Sequence, residues 1–143
     1  MSTFTQFDAA RAQLDRALAL FLDERDFLSA LTLAGAAEAL IGDMLKDQGK
    51  ENSLESNAAA MIGLVSVTDG ASLSRKDAIA TLNEVRDWLK HYKRGVTLTI
   101  DAEEAASELL DRAVVNWITL TNRPLALMDR FDDWLRRRSR SPG

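Results

Sequence analysis

The chain has 143 residues, of which 46% are hydrophobic and 28% charged, and its formal net charge at pH 7 is −4. This length suits one domain around a single core, and the acidic balance argues against a protein that coats nucleic acid in general. The absence of cysteine excludes disulfides, thiol catalysis and zinc–thiolate sites. Alanine and leucine dominate while glycine and proline are few, which favours helices.

Neither a targeting segment nor a membrane-spanning segment is predicted in the N-terminal third of the chain. MSTFTQFDAARAQLDRAL carries charges every few residues, unlike a signal peptide. The stretch with the fewest charges, residues 27–41, is expected to be too short and too rich in alanine to span a bilayer. We therefore expect a cytoplasmic protein without a membrane partner.

Apolar residues recur at intervals of three and four, and this spacing predicts a series of helices. The first, at about 5–23, should turn four apolar side chains inward, namely Phe7, Leu14, Leu18 and Phe21. The second, at about 27–48, ends before Gly49. Its small residues predict a close approach by a neighbouring helix: Ala34, Gly35, Ala36, Ala37, Ala39 and Gly42.

The middle of the chain predicts two more helices and an extended connection. A third helix at about 54–67 stops before the Asp-Gly turn signal of TDGAS. A fourth runs from Arg75 to about Lys93, with Ser74 and Asp77 as an imperfect capping box and Gly95 as terminator. Residues 96–100, VTLTI, alternate like a strand but have no partner strand, so we expect an extended connector.

The last third predicts a fifth and a final helix. Asp101 and Glu104 form a capping-box pattern before a helix at 102–121, and Pro124 suits the first turn of the last helix. Five to six helices with short loops predict an all-α fold, a single antiparallel bundle over residues 1–138. Residues 139–143 are expected to form a disordered basic tail.

The fourth helix carries the residues that suggest chemistry, in the stretch NEVRDWLKHYKR, residues 83–94. At about 100° per residue, its polar side chains fall within an arc of roughly 140°. They are Asn83, Arg86, Asp87, Lys90, His91 and Arg94. The opposite side predicts a core face formed by Leu82, Val85, Leu89 and Tyr92, with Trp88 at its edge.

The spacing of Asp87 and His91, the only histidine, suggests an oriented base. Four residues separate them, so the carboxylate can accept a hydrogen bond from one ring nitrogen and direct the other outward. Arg86 and Lys90 would supply positive charge to a phosphodiester transition state. A structural interpretation stays open, because basic residues and a histidine at a helix C-terminus also interact favourably with the helix dipole.

Two segments resemble HEPN domains. RDWLKH, residues 86–91, looks like the R-x-x-x-x-H motif of that family, with Asp87 as the polar second residue. LTLAGAAEALIGDML, residues 31–45, is similar to the alanine-rich HEPN helix beside the motif, with Glu38 as its acidic residue. The resemblance covers about residues 30–120. It implies a helical bundle that forms a homodimer and brings two motifs into one cleft.

The resemblance also implies a metal-independent endoribonuclease without a cofactor. His91 would act as acid or base, Arg86 would stabilise the transition state, and Asp87 would be the intervening polar residue. The remaining polar residues of the stretch would bind RNA phosphates, namely Lys90, Arg94 and Asn83. Some toxin members carry a tyrosine two residues after the histidine, whereas Tyr92 follows His91 directly here. Besides RNA, the family's roles in toxin–antitoxin and phage-defence systems suggest an antitoxin or a nucleotidyltransferase-type protein as partner.

Two alternatives to the nuclease stay open. The first is a non-catalytic HEPN-like module that binds a nucleotide or a protein, and the second is a plain helical oligomerisation protein. A carboxylate metal site built on Glu38 and Asp43, with Asp87 or Glu104, would need Glu-x-x-His pairs that a chain with one histidine lacks. Because one protomer has one histidine, an acid–base pair of histidines requires a symmetric dimer.

Overall fold

The structure is a computed structural model that describes residues 1–70 and 72–141. Over these residues it contains six α-helices and no strand, which confirms the predicted all-α class. The helices are α1 (Gln6–Ala19), α2 (Phe27–Asp47), α3 (Ser53–Asp69), α4 (Arg75–Lys90), α5 (Ala102–Thr121) and α6 (Met128–Arg140). A π-helical turn, Leu20–Glu24, continues α1.

Side-chain caps determine where the first five α-helices begin. In each case the residue before the helix accepts a hydrogen bond from the backbone N–H three positions later, which satisfies one of the free donors of the first turn. The capping residues are Thr5, Asp26, Asn52, Ser74 and Asp101. The predicted starts of α2, α4 and α5 are confirmed, and α1 begins one residue later than expected.

The core lies where α2 packs along both α1 and α5. Its fully buried large apolar side chains come from α1, α2, α5 and α6, namely Leu14, Leu18, Leu31, Ile41, Leu45, Leu110 and Phe131. Phe21 joins α6 to this core through edge-on contacts with Phe131 and Trp134, at centroid distances of 5.6 and 4.8 Å. Phe7, predicted to face inward, is partly exposed and stacks on Trp117.

α3 and α4 form a second pair of helices beside this core. α4 also contacts α2, and α3 also contacts α5. α4 therefore lies next to α2, the helix that carries the buried Glu38.

α4 ends at Lys90, about one turn before the predicted end. The N–H of His91 donates to the Asp87 carbonyl at 3.0 Å, and the backbone of His91 is then extended, with φ −122° and ψ 113°. A tertiary contact accompanies this early end, since the indole Nε1 of Trp88 donates to the Val96 carbonyl at 3.2 Å. This bond holds the extended connector, residues 96–100, back along the end of α4.

α6 also differs from its predicted bounds. It begins at Met128, so Pro124 lies in the preceding turn and not in the first helical turn. It ends at Arg140, so the predicted tail 139–143 starts inside the helix; residues 142–143 lie outside the described part of the chain. Arg138 forms an ion pair with Glu104, which ties this end to α5.

Among the described residues, α2 is the one helix that is long and apolar enough to cross a membrane by length and composition, contrary to the expectation for residues 27–41. The core helix of a folded domain meets the same criterion. Half of its most apolar window is buried inside the fold.

Replacing Asn116 by alanine should destabilise the junction of α2, α3 and α5. Asn116 is fully buried; its Oδ1 accepts from the Ser53 N–H at 2.7 Å, and its Nδ2 donates to the Glu38 carbonyl at 3.4 Å. Loss of these partners should lower the free energy of unfolding by about 1–3 kcal/mol in urea denaturation. Asn57→Ala, an exposed control in α3, should change it by less than about 0.5 kcal/mol. Equal effects of the two substitutions would contradict this assignment.

Candidate functional site

Arg86 points into the protein and not along a solvent-facing stripe. Its side chain is 17% exposed, and its Nη1 donates to Glu38 Oε2 at 2.9 Å. Val85 and Leu89 pack against the core as predicted, but α4 is rotated so that Arg86 shares this inward face. Asn83 is buried as well, so it does not lie on the exposed polar stripe that the helical wheel predicted. The helical wheel alone placed both residues on the wrong side.

Glu38 also forms an ion pair with an arginine of α5. The carboxylate is 2% exposed, and the Nε of Arg112 lies 3.8 Å from its Oε1. Arg112 also donates from Nη1 to the Leu82 carbonyl at 3.0 Å. Burial lowers the pKa of Arg112, and the charge of Glu38 acts in the opposite direction. We call Glu38, Arg86 and Arg112 the Glu38 cluster; it joins α2, α4 and α5 in the interior.

The Glu38 cluster is incompletely satisfied. One carboxylate faces two guanidinium groups, and the Nε of Arg86 and the Nε and Nη2 of Arg112 are buried without a hydrogen-bond partner. Arg112 was not among the residues predicted from the sequence. A signal existed, because Arg112 falls on the same face of its helix as Leu109, Ala113 and Asn116, where an arginine interrupts an apolar stripe.

His91 lies in a different environment from Arg86. It is exposed and follows the end of α4, and its side chain forms no hydrogen bond or ion pair within the described part of the chain. The predicted hydrogen bond between the Asp87 and His91 side chains is absent among the described residues. His91 is the residue that caps α4, with φ −122° and ψ 113°, and so departs from the helical geometry that the prediction assumed. The Asp87 carboxylate instead lies 3.9 Å from the Nε of Arg86.

The other predicted cations lie with His91 in a short exposed segment, residues 90–94, which we call the basic turn. All five side chains are exposed: Lys90, His91, Tyr92, Lys93 and Arg94. Tyr92 is 92% exposed, although the helical wheel assigned it to the core face. Its predicted position assumed that the helix continued past Lys90. Lys90 and Arg94 therefore remain available to a phosphate.

A groove of about 410 Å³ adjoins the basic turn between α4 and the extended connector. Trp88, Lys93 and Val96 line it, but so do the carboxylates of Glu84 and Asp87. These acidic walls disfavour a phosphate inside the groove, so an anion is better placed on the outer side of the turn.

Replacing Glu38 by glutamine should leave two buried arginines without a counter-charge. We expect the free energy of unfolding to fall by about 3–5 kcal/mol in urea denaturation, because the remaining guanidinium groups stay desolvated. Asp87→Asn is the matched control: its carboxylate is half-exposed at 3.9 Å, and the change should cost less than about 1 kcal/mol. A Glu38→Gln protein as stable as Asp87→Asn would show that the cluster does not hold α4.

We expect that Arg86 can keep its place against α2 only if residue 35 is glycine. A Cβ built there would lie 2.9 Å from Arg86 Cγ, whereas one built at Gly63 in α3 meets nothing within 4 Å. Gly63→Ala should raise the free energy of unfolding by about 0.5–1 kcal/mol, since alanine favours a helix. Gly35→Ala should lower it by about 1–3 kcal/mol through overpacking. Stabilisation by both substitutions, measured in urea, would contradict the close contact.

Compared with protein-family models, with curated proteins and with solved structures, the chain has no match. The resemblance to HEPN domains therefore rests on residues 31–45 and 86–91.

Proposed function

We propose that the chain is a non-catalytic HEPN-like module that binds single-stranded RNA through the basic turn of a homodimer. The observation that carries this proposal is the division of the motif: Arg86 is held inside by Glu38, while Lys90, Lys93 and Arg94 are exposed. Binding needs the exposed cations alone, whereas cleavage by the R-x-x-x-x-H pair would need Arg86 as well.

The ion pair with Glu38 argues against Arg86 as a catalytic residue. A transition-state stabiliser must direct its N–H groups at the reacting phosphate. Arg86 already uses Nη1 on a carboxylate at 2.9 Å. Withdrawing it would leave the buried Glu38 with Arg112 alone, at a cost of several kcal/mol. The resting geometry therefore favours binding over turnover.

The composition of the basic turn suits RNA. Three cations can contact successive phosphates, and the exposed ring of Tyr92 offers a face on which a base can stack. The chain as a whole is acidic, with a net charge of −4. The basic turn is therefore a local region of positive charge that can attract RNA phosphates. A dimer would present two such turns, and simultaneous engagement would raise the avidity for one strand.

The endoribonuclease remains a second candidate because the imidazole of His91 is exposed between Lys90 and Lys93. In a symmetric dimer the second His91 could supply the acid of a two-histidine mechanism. Lysine would then have to stabilise the phosphorane in place of Arg86.

Fluorescence anisotropy with a labelled single-stranded RNA tests the binding proposal. The double variant Lys93→Ala/Arg94→Ala should weaken binding about tenfold or more and flatten its salt dependence, because fewer counterions are released. Arg11→Ala/Lys50→Ala removes the same charge from exposed sites elsewhere and should weaken binding much less. Equal losses in the two double variants, or no binding at low salt, would refute the proposal.

Incubation of the same RNA with the protein separates binding from cleavage. We expect the RNA to remain intact on a denaturing gel. Cleavage by the wild-type protein that is lost in His91→Ala would instead establish the nuclease. Size-exclusion chromatography with light scattering measures the oligomeric state, and a strictly monomeric protein would exclude the two-histidine mechanism.

A further inference from the structure

α3 lacks the charged outer side that a surface helix normally has. Residues 56–68 contain no charged residue, although 28% of the chain is charged. Other helices expose charged side chains, for example Arg11 in α1, Asp87 in α4 and Arg137 in α6. A helix that is apolar on all sides is normally buried on all sides. The composition of α3 therefore suits a helix that is covered on its outer side as well.

Burial distinguishes the two sides of α3. On the inner side Ala58 is 1% exposed, and Met61 and Val65 are partly buried. On the outer side Leu64 is 64% exposed and Val67 is 85% exposed. Small exposed residues lie beside them, and a Cβ at Gly63 would meet nothing within 4 Å in the protomer. We call these outer residues the α3 face: Ser56, Ala59, Ala60, Gly63, Leu64 and Val67.

We propose that a second copy of the chain covers the α3 face, so that two α3 helices pack antiparallel across a two-fold axis. Residues 56, 60, 63 and 67 follow each other at intervals of four, three and four, and this spacing is the same when it is read from either end. An antiparallel copy can therefore meet it in register. Intervals of three and four are also those at which helices interdigitate.

The sizes of the side chains fit this register. A two-fold axis midway between residues 61 and 62 places Val67 opposite Ser56 of the second copy, and Leu64 opposite Ala59. Ala60 and Gly63 then face each other nearest the axis, where the two backbones approach most closely. Each large side chain meets a small one, so the α3 face is complementary to itself, as a two-fold contact requires.

Charge also favours a second copy over other occupants. A two-fold contact brings equivalent surfaces together, and like charges in them would repel each other; the α3 face has none. A helix that lies on a membrane typically combines bulky apolar residues with lysine and arginine along its polar side. The α3 face has small residues at four of its six positions and no cation among residues 56–68.

The inference rests on the proposed function in that it supplies the interface of the homodimer. The α3 face contains no residue of the basic turn, so association of the protein and RNA binding can be measured separately. One pair of helices buries less than the roughly 800 Å² per partner of a standard interface, so we expect a dissociation constant in the micromolar range.

Sedimentation equilibrium of the full chain without RNA tests the interface, over about 1–200 µM to cover the affinity of a small interface. The wild-type protein should dimerise within this range. Leu64→Glu should weaken the dimer at least about tenfold, because the contact with Ala59 of the second copy would desolvate a carboxylate. Leu28→Glu is the matched control: it changes a leucine of α2 that is 54% exposed, and should leave the dimer unchanged.

Disulfide cross-linking tests the antiparallel register, since the chain has no cysteine of its own. A mixture of the Ala60→Cys and Gly63→Cys proteins under mild oxidation should form a mixed disulfide dimer faster than either protein alone, because these positions face each other across the axis. Faster cross-linking of each variant with itself would indicate another arrangement and overturn the proposal.

Two further results would overturn the α3 interface. They are equal effects of Leu64→Glu and Leu28→Glu on the dimer, and a wild-type protein that stays monomeric up to about 200 µM. Flotation of that monomer with phosphatidylcholine vesicles would identify lipid as the occupant instead. A dimer that Leu64→Glu disrupts but that binds no RNA would support this interface and refute the proposed function alone.

Discussion

The buried carboxylate of Glu38 is the interaction on which the arrangement of the helices depends. It stands in the middle of the most apolar helix and binds Arg86 of α4 at 2.9 Å, with Arg112 of α5 at 3.8 Å. Each charge alone would be costly inside the protein, so the three are stable only together. α4, which has few other contacts with α2, is thereby held in one rotation about its axis.

Glycines in α2 leave the space that this ion pair and the neighbouring hydrogen bonds need. Gly35 lets the aliphatic stem of Arg86 lie directly on α2, and Gly42 leaves room for the amides of Asn52 and Asn116. The same helix thus packs its apolar residues against α1 and α5, and brings Glu38 and the backbone of Gly42 next to polar side chains of α4, α5 and the cap of α3. Close approach and buried hydrogen bonding occur together because a larger side chain would separate the groups that must pair.

The division between interior and surface also shapes the functional interpretation. A motif that reads as one unit along the chain is separated here into a buried arginine and an exposed histidine. Arg86 pairs with Glu38 in the interior, while His91 belongs to the basic turn on the surface. Substitutions in the interior and in the basic turn should therefore have separable effects.

The sequence by itself determined the helical class and most of the helix ends, because periodicity and capping are local properties: Asp26, Ser74 and Asp101 start their helices where the pattern predicts. It also selected Glu38 and Arg86 as residues of interest. Only the tertiary structure decided that these two pair, that Arg112 joins them and that α4 ends before His91. A helical wheel describes the relative directions of side chains, but the packing of neighbouring helices decides which direction is inside.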